Sequence, residues 1–376
     1  MINKDRLVRL TQAIIRINSE NPPGNEYQLA QLVKRKLRSY GFQVKSIEFA
    51  KRRPNIIGVL KGKSRKGAVL FSPHLDTVPA GGGWKINPFS GRIINGKIFG
   101  RGATDCKGNL AVGLEVMQSL TEEKISLSRD IIFAATADEE AGSGLGIVPL
   151  IKKGILKPSA AIILDSDEFN IIIAQKGLIH FKIRIFGKKA HGAYPDLGIN
   201  AIEIAAKVID DLKNYQFKFR KHTLLKAPTI NIGTIKGGDK VNMVADFCEF
   251  EIDLRFLPGM NAADILRQIK ALVSKRAKKF KIVIDGIQEP CEINKDNSLV
   301  KTLLLANRRF HKKAKLEGSE GATVISFFLQ KGISAVATGF GMEGQAHVTD
   351  ERVRVDDLYK GALALEEFIK EFDSVK

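Results

Sequence analysis

The sequence predicts an α/β protein in which a smaller α+β domain interrupts a larger one. Three observations predict this. Apolar strand text alternates with helical periodicity as far as about Gly177. Several of those strands are apolar at nearly every position, as in a sheet covered on both faces. From Gly177 the text changes to strands with one wet face, in the order strand-helix-strand-strand-helix-strand.

Helical periodicity covers residues 5–17 and 26–40, and the break Asn21-Pro22-Pro23-Gly24 separates the two. Strand-and-turn text follows in VKSIEFA, NIIGVLKG and GAVLFSPHLD. Residues 109–120 read as a helix. DIIFAATADEE reads as a buried strand running into a loop, and AAIILDSD as an apolar strand ending in carboxylates. Such alternation indicates a sheet with parallel members. The second texture opens with LIHFKIRIFG. It continues through a helix at 200–212, the strands PTINIGTI and DFCEFEIDLRF, a helix at 261–278 and the strand KFKIVIDG. This is the split βαβ order of a ferredoxin-like fold, and about 110 residues suffice for it to fold alone. A helix at 298–310 and the strand text GISAVATG then resume the first texture. The expected division is 1–177 with 290–376 for a discontinuous larger domain, and 178–289 for the insert.

Composition narrows the class. The 376 residues are 44% hydrophobic, enough for a large core. No run of eighteen apolar residues occurs, so no membrane span is expected. The charged start MINKDRLVRLTQAI reads as a helix rather than a signal peptide. Cys106, Cys248 and Cys291 are too few and too scattered for a disulfide scaffold and fit a reducing cytoplasm. The net charge of +19 raises the question of nucleic acid. The basic run at 267–281 is amphipathic, however, and the chain has no aromatic platform, recognition helix or Cys/His finger spacing. The reading is a solvated basic face with no nucleic-acid partner, some of whose charge would draw in small anions.

Chemistry gathers where strands end. In LFSPHLDTVPAGGGW, His74 and Asp76 stand two apart, which in strand geometry sends both side chains to one face. Imidazole is a natural zinc ligand, and a carboxylate beside it can hold its other ring nitrogen. In FGRGATDCKGN, Asp105 lies in a glycine-rich turn before a helix, with two oxygens free to bridge two cations. That text lacks the full dinucleotide and Walker patterns. ATADEEAGSGLG places Asp138, Glu139 and Glu140 after a buried strand, where three acids are costly without a compensating cation. One of the two glutamates could bind metal while the other takes a proton from water. Asp165 and Asp167 close the strand of ILDSDEF, and His347 lies in the loop text GQAHVTDE. Mixed histidine and carboxylate donors suit zinc, with cobalt or manganese as alternatives. Two such cations about 3.5–4 Å apart would activate a water between them. His191, in KKAHGAYPDLGINA, sits apart from these and is expected to be exposed. His180, His222 and His311 offer no constellation.

Together these segments resemble the family of acetylornithine deacetylase, succinyl-diaminopimelate desuccinylase, aminoacylase and the glutamate-releasing carboxypeptidases. SPHLDTVPAGGGW, NPFSGRIINGKIFGRGATDCKGN, TADEEAGSG, AQKG, HGAYPDLGINAI, EIDLRFLPG and QAHVTDERV carry the resemblance, in order over nearly the whole chain. It implies a dinuclear zinc-peptidase-like catalytic domain with a mostly parallel sheet, and a ferredoxin-like α+β insert serving as lid and dimerisation domain. It implies two divalent metal ions per subunit. His74, Asp105, Glu140, Asp165 and His347 would be ligands, with Asp105 bridging. Asp76 would orient His74, and Glu139 would be the general base and acid. The family often has Glu-Pro-Thr where this chain has Asp165-Ser166-Asp167, so Asp167 is the alternative ligand if the local alignment slips. His191 would reach the active site of the partner in a homodimer and stabilise the oxyanion. Asn242 and Arg255 would bind substrate. The implied substrates are small anionic N-acyl amino acids or short peptides. The segment EGSEG at 317–321 departs from the Ser/Thr-Asp pattern of deacetylases and desuccinylases, leaving the acyl group and amino acid open.

Overall fold

Residues 43–60 set the first constraint on the larger sheet. The strands Gln43–Glu48 and Pro54–Leu60 are joined by residues 49–53 alone, too short a link for a crossover. They therefore pair antiparallel. A computed structural model describes residues 1–64 and 66–375. These residues form two units. One is Met1–Ile173, Ile293–Glu317 and Phe327–Lys376; the other is Ala174–Glu292 and Gly318–Ser326.

In the first unit the sheet runs Gln43–Glu48, Pro54–Leu60, Asp130–Ala135, Ala68–Ser72, Ala160–Leu164, Ser334–Thr338, and then the start of Ile171–Gln175. The three central pairings are parallel. The flanking ones are antiparallel. The sheet is thus mixed, and the expected mostly parallel sheet is corrected. The sequence text reports burial, and burial is set by helices covering both faces; strand direction is set by the connections. Every residue of Ala160–Leu164 is buried. The helix Lys107–Glu122 is buried along most of its length, polar Asn109 and Glu115 included.

The helix starts follow from asparagine. Asn3, Asn200, Asn261 and Asn297 each precede a helix and accept a backbone N–H of its first turn through the side chain. Such a cap is worth about 1 kcal/mol. The helix expected at 261–278 ends earlier, as Ala262–Ser274. Among the described residues, no helix is long and apolar enough to cross a membrane.

In the second unit, a four-stranded antiparallel sheet has the order Thr229–Gly237, Phe247–Phe256, Gly177–Phe186, Phe280–Gln288. The alternation of Gly177–Phe186 and Phe247–Phe256 turns Ile183, Ile185, Phe250 and Leu254 into one core with Ala205 and Val208 of the helix Ala201–Lys213 and Ile265 and Ile269 of Ala262–Ser274. The intervening residues on these strands form ion pairs, among them Arg184–Glu249 and Lys182–Glu251. The segment Gly318–Ser326 belongs to this unit. Lys176, with its side chain 1% exposed, reaches Glu320 at 2.6 Å and donates to the Ala227 carbonyl at 2.6 Å. Gln175 and Gln288 both hydrogen-bond Thr323.

Candidate metal centre

Three strand ends and two loops build the centre. His74 follows Ala68–Ser72 and stays in register with the neighbouring strand through Thr136. Its ring is buried, with Nε2 3.0 Å from Asp105 Oδ1 and 3.8 Å from Asp165 Oδ1. The other ring nitrogen, Nδ1, lies 2.9 Å from the backbone carbonyl of Asp76 and 3.7 Å from its carboxylate. That carboxylate is engaged elsewhere. Its two oxygens accept the backbone N–H groups of Glu139, at 3.0 Å, and Glu140, at 3.1 Å.

Asp105 stands just before the helix Lys107–Glu122, and its peptide bond to Cys106 is cis. Its second oxygen lies 3.1 Å from His347 Nε2. The same imidazole nitrogen is 3.2 Å from Glu140 Oε2. Two donor sets result, His74–Asp105–Asp165 and Asp105–Glu140–His347, each with ligand atoms within 4.8 Å of one another. Asp105 belongs to both. Asp165, not Asp167, stands in the first set, and the backbone of Asp167 pairs with that of Gly341.

The loop carrying Asp105 is anchored by a residue the sequence reading passed over. Glu351 is fully buried and accepts from the N–H groups of Gly102 (2.9 Å), Thr104 (2.8 Å) and Asp105 (3.1 Å). Arg101 Nη1 donates to it at 2.8 Å. The turn carrying Glu139 and Glu140 is likewise anchored by residues the sequence reading did not assign. Asn21 Nδ2 donates to Asp76 and Asp138, and Arg53 joins Asp138 to Glu26. A buried acid or amide whose partners lie 55 to 250 residues away leaves no local pattern in the text.

The electrostatics test the fit to metal. Burial pushes Glu139 well above the ordinary carboxylate range, and the charges of Asp165 and Asp105 push it further. Burial raises Glu140 as well, against the hydrogen bond from His347. His347 is pushed up to about 10 by its hydrogen bonds to Asp105 and Glu140. Burial opposes ionisation of Asp105, but the bonds from His347 and His74 hold its carboxyl below the usual range. Three carboxylates thus lie against two imidazoles, Asp105 and Asp165 beside His74, and Asp105 and Glu140 beside His347. Divalent ions satisfy that donor set better than protons do. The two clusters are capable of holding a pair of divalent ions, and their N/O donors suit zinc.

The second unit holds the remaining predicted residues. His191 bridges to Met243, next to Asn242, and Gly192 donates to the Asn242 carbonyl at 2.8 Å. Arg255 is half-buried, and its Nε and one Nη bind Asp253 at 2.6 and 2.8 Å. His180, an exposed strand residue, lies 3.1 Å from the same carboxylate, directly across the strand pair.

The sequence profile of Peptidase family M20/M25/M40 matches residues 70–371. The chain belongs to Peptidase family M20/M25/M40. As an M20 protein it is an enzyme, a metal-dependent hydrolase. It is 30% identical to acetylornithine deacetylase of Pasteurella multocida over 70% of each chain. An uncharacterized metallohydrolase of Methanocaldococcus jannaschii is 28% identical over 97% of this chain and 99% of its own. Among solved structures, a tripeptidase from Staphylococcus aureus superposes with TM-score 0.82 and 26% identity, covering 100% of both chains. An M20 metallo-carboxypeptidase from Sulfolobus solfataricus gives TM-score 0.82 at 20% identity, with 99% of this chain and 100% of its own covered, and shares the M20 fold.

Proposed function

We propose that this M20 hydrolase cleaves the amide bond of N-acyl amino acids, as a deacetylase or desuccinylase does. The convergence of His74, Asp105, Glu140, Asp165 and His347 into two sets that share Asp105 carries this reading, because it supports a dinuclear site with Asp105 as the bridge. The relatives named acetylornithine deacetylase support the substrate class. A bound metal pair would supply Lewis-acid polarisation of the scissile carbonyl and a water of lowered pKa.

The chain's own residues do the rest. Glu139 is assigned as general base and acid, taking a proton from the water and returning it to the leaving amine. Its burial keeps its proton affinity high, as a group that both accepts and returns a proton near neutrality requires. Asp76 holds the backbone of both glutamates, so base and ligand keep a fixed spacing. His191 is assigned to oxyanion stabilisation across a homodimer, and Asn242 and Arg255 to substrate binding. A substrate carboxylate would compete with Asp253 for the Arg255 fork. The second unit is read as a ferredoxin-like lid and dimerisation domain. Its strand order and its exposed edge strand Thr229–Gly237, with Ile235 52% exposed, support that reading.

The alternative is a carboxypeptidase or dipeptidase, favoured by the likeness to a tripeptidase. The test is a panel of N-acetyl and N-succinyl amino acids, dipeptides and tripeptides on metal-loaded enzyme. Faster turnover of the acyl amino acids supports the first reading, and faster turnover of the peptides the second. In the same assay Glu139→Gln should lose about 10²–10⁴-fold in kcat while keeping its metal. Near-wild-type turnover by E139Q would remove Glu139 from its role.

A further inference from the structure

The turn that presents Glu139 and Glu140 begins with Asp138 at φ 69°, a left-handed conformation that a non-glycine residue keeps only where its surroundings hold it. Four contacts hold it. The Asp138 carbonyl accepts from Ser143 N at 2.6 Å, and its Oδ2 accepts from Leu145 N at 3.0 Å. Its Oδ1 takes Arg53 Nη1 at 3.0 Å and Asn21 Nδ2 at 3.3 Å. Close packing adds to this: a Cβ on Gly146 would meet the Ala137 carbonyl at 2.0 Å. The next two residues are held from the other side, by the two oxygens of Asp76.

Asn21 joins these two anchors. Its Nδ2 also donates to Asp76 Oδ2 at 2.9 Å, so one amide nitrogen serves two buried carboxylates. An amide is suited to the position because it offers two N–H groups and brings no charge. Arg53 completes the network. Its Nε donates to the fully buried Glu26 at 3.1 Å while Nη1 serves Asp138. The backbone places Asn21 there as well. Its N–H donates to the Thr77 carbonyl at 2.8 Å, beside the bridge between Glu20 and Thr77. Asn21 stands in neither donor set. Without it, Asp76 Oδ2 and Asp138 Oδ1 lose the donor that ties them together, and neither carboxylate is held at its present angle to the other. The N–H groups of Glu139 and Glu140 would then lose a fixed acceptor.

We propose that Asn21 and Arg53 are positioning residues that set the spacing of Glu139 and Glu140 through Asp76 and Asp138. This rests on the reading of Glu139 as base and Glu140 as metal ligand. The experiment compares wild type, Asn21→Ala, Arg53→Lys and Glu139→Gln as full-length protein, depleted of metal and reloaded with Co²⁺. Outer partners of a metal site typically carry about 10–100-fold in activity or metal affinity. N21A should therefore lose kcat in that range with KM within about twofold of wild type. Its Co²⁺ visible absorption should change shape, because the ligand Glu140 is no longer held. R53K should move in the same direction by a smaller factor, since it keeps the charge and loses the fork. A folded N21A with wild-type kcat and an unchanged Co²⁺ spectrum overturns the proposal. If N21A does not fold, Asn21→Leu, which keeps the bulk and loses the donor, is measured in its place and read by the same two outcomes. An active E139Q would sink the base assignment instead, and the Co²⁺ spectrum of N21A still decides whether Asn21 positions Glu140.

Discussion

Removing Glu351 should cost more stability than removing any surface acid of the chain. Its carboxylate takes three backbone N–H groups and the Arg101 guanidinium, with both side chains 3% exposed or less. Glu351→Ala leaves that cation without its carboxylate partner. Breaking a buried pair by deleting one member costs about 3–5 kcal/mol. Arg101 keeps longer hydrogen bonds, to the carbonyls of Val348 at 3.1 Å, Ala80 at 3.3 Å and Pro79 at 3.4 Å, and the Trp84 ring, whose centroid lies 5.0 Å from its guanidinium carbon. The three freed N–H groups sit in the loop that carries Asp105, so metal affinity should fall together with stability. Arg101→Met should cost less than E351A, because Glu351 then retains three backbone donors. The double variant should be less destabilised than the two losses added, since no unpaired charge remains. Urea unfolding of metal-free protein, followed by circular dichroism, measures all four corners of the cycle. E351A within about 1 kcal/mol of wild type, or strict additivity in the double variant, would refute the reasoning.

Further outcomes follow from the same geometry. His347→Ala should bind about one metal ion per chain instead of two by elemental analysis, because His74, Asp105 and Asp165 form the other set without it. In metal-free protein, His347 has a folded pKa of about 10, above its ordinary 6.5. A group raised in this way stabilises the fold fully below the unfolded value and ceases to do so as pH rises through the folded one. Metal-free wild type should therefore lose stability from about pH 6.5 to 10, and H347N should flatten that part of the profile; equal slopes in the two would count against the assignment. In the second unit, Glu320→Gln should speed amide hydrogen exchange across 318–326, because Lys176 loses its partner at 2.6 Å. Unchanged exchange there would show that Gln175, Gln288 and Thr323 hold the segment without it.

What could be read in advance divides along a physical line. His74, Asp105, Glu140, Asp165 and His347 stand at strand ends and in loops; a short motif marks each as a candidate, and the family resemblance chooses Glu140 over Glu139 and Asp165 over Asp167 as ligands. A donor must leave the core where a strand stops, so its neighbours in sequence are also its setting in space. The residues that aim these donors follow a different rule. Glu351 acts on Gly102 from 249 residues away, and Asn21 acts on Asp138 from 117. Their local text, VTDERV and NSENPPG, reports only a loop and a helix break. Asp138 shows the limit most sharply. In the text it is one of three equal acids; in the fold it turns away from the metal clusters to Arg53, Asn21 and Leu145 and fixes the two that follow. Sheet direction was hidden for a related reason. Pro54–Leu60 and Ala68–Ser72 flank Asp130–Ala135 and are both largely buried, yet the first pairs with it antiparallel and the second parallel. A motif reading therefore finds the groups that could meet metal, while the spacing between those groups is set by buried charges with no motif of their own. The Asn21 and Glu351 variants are aimed at that second layer because it is where two chains with the same ligands can differ in rate.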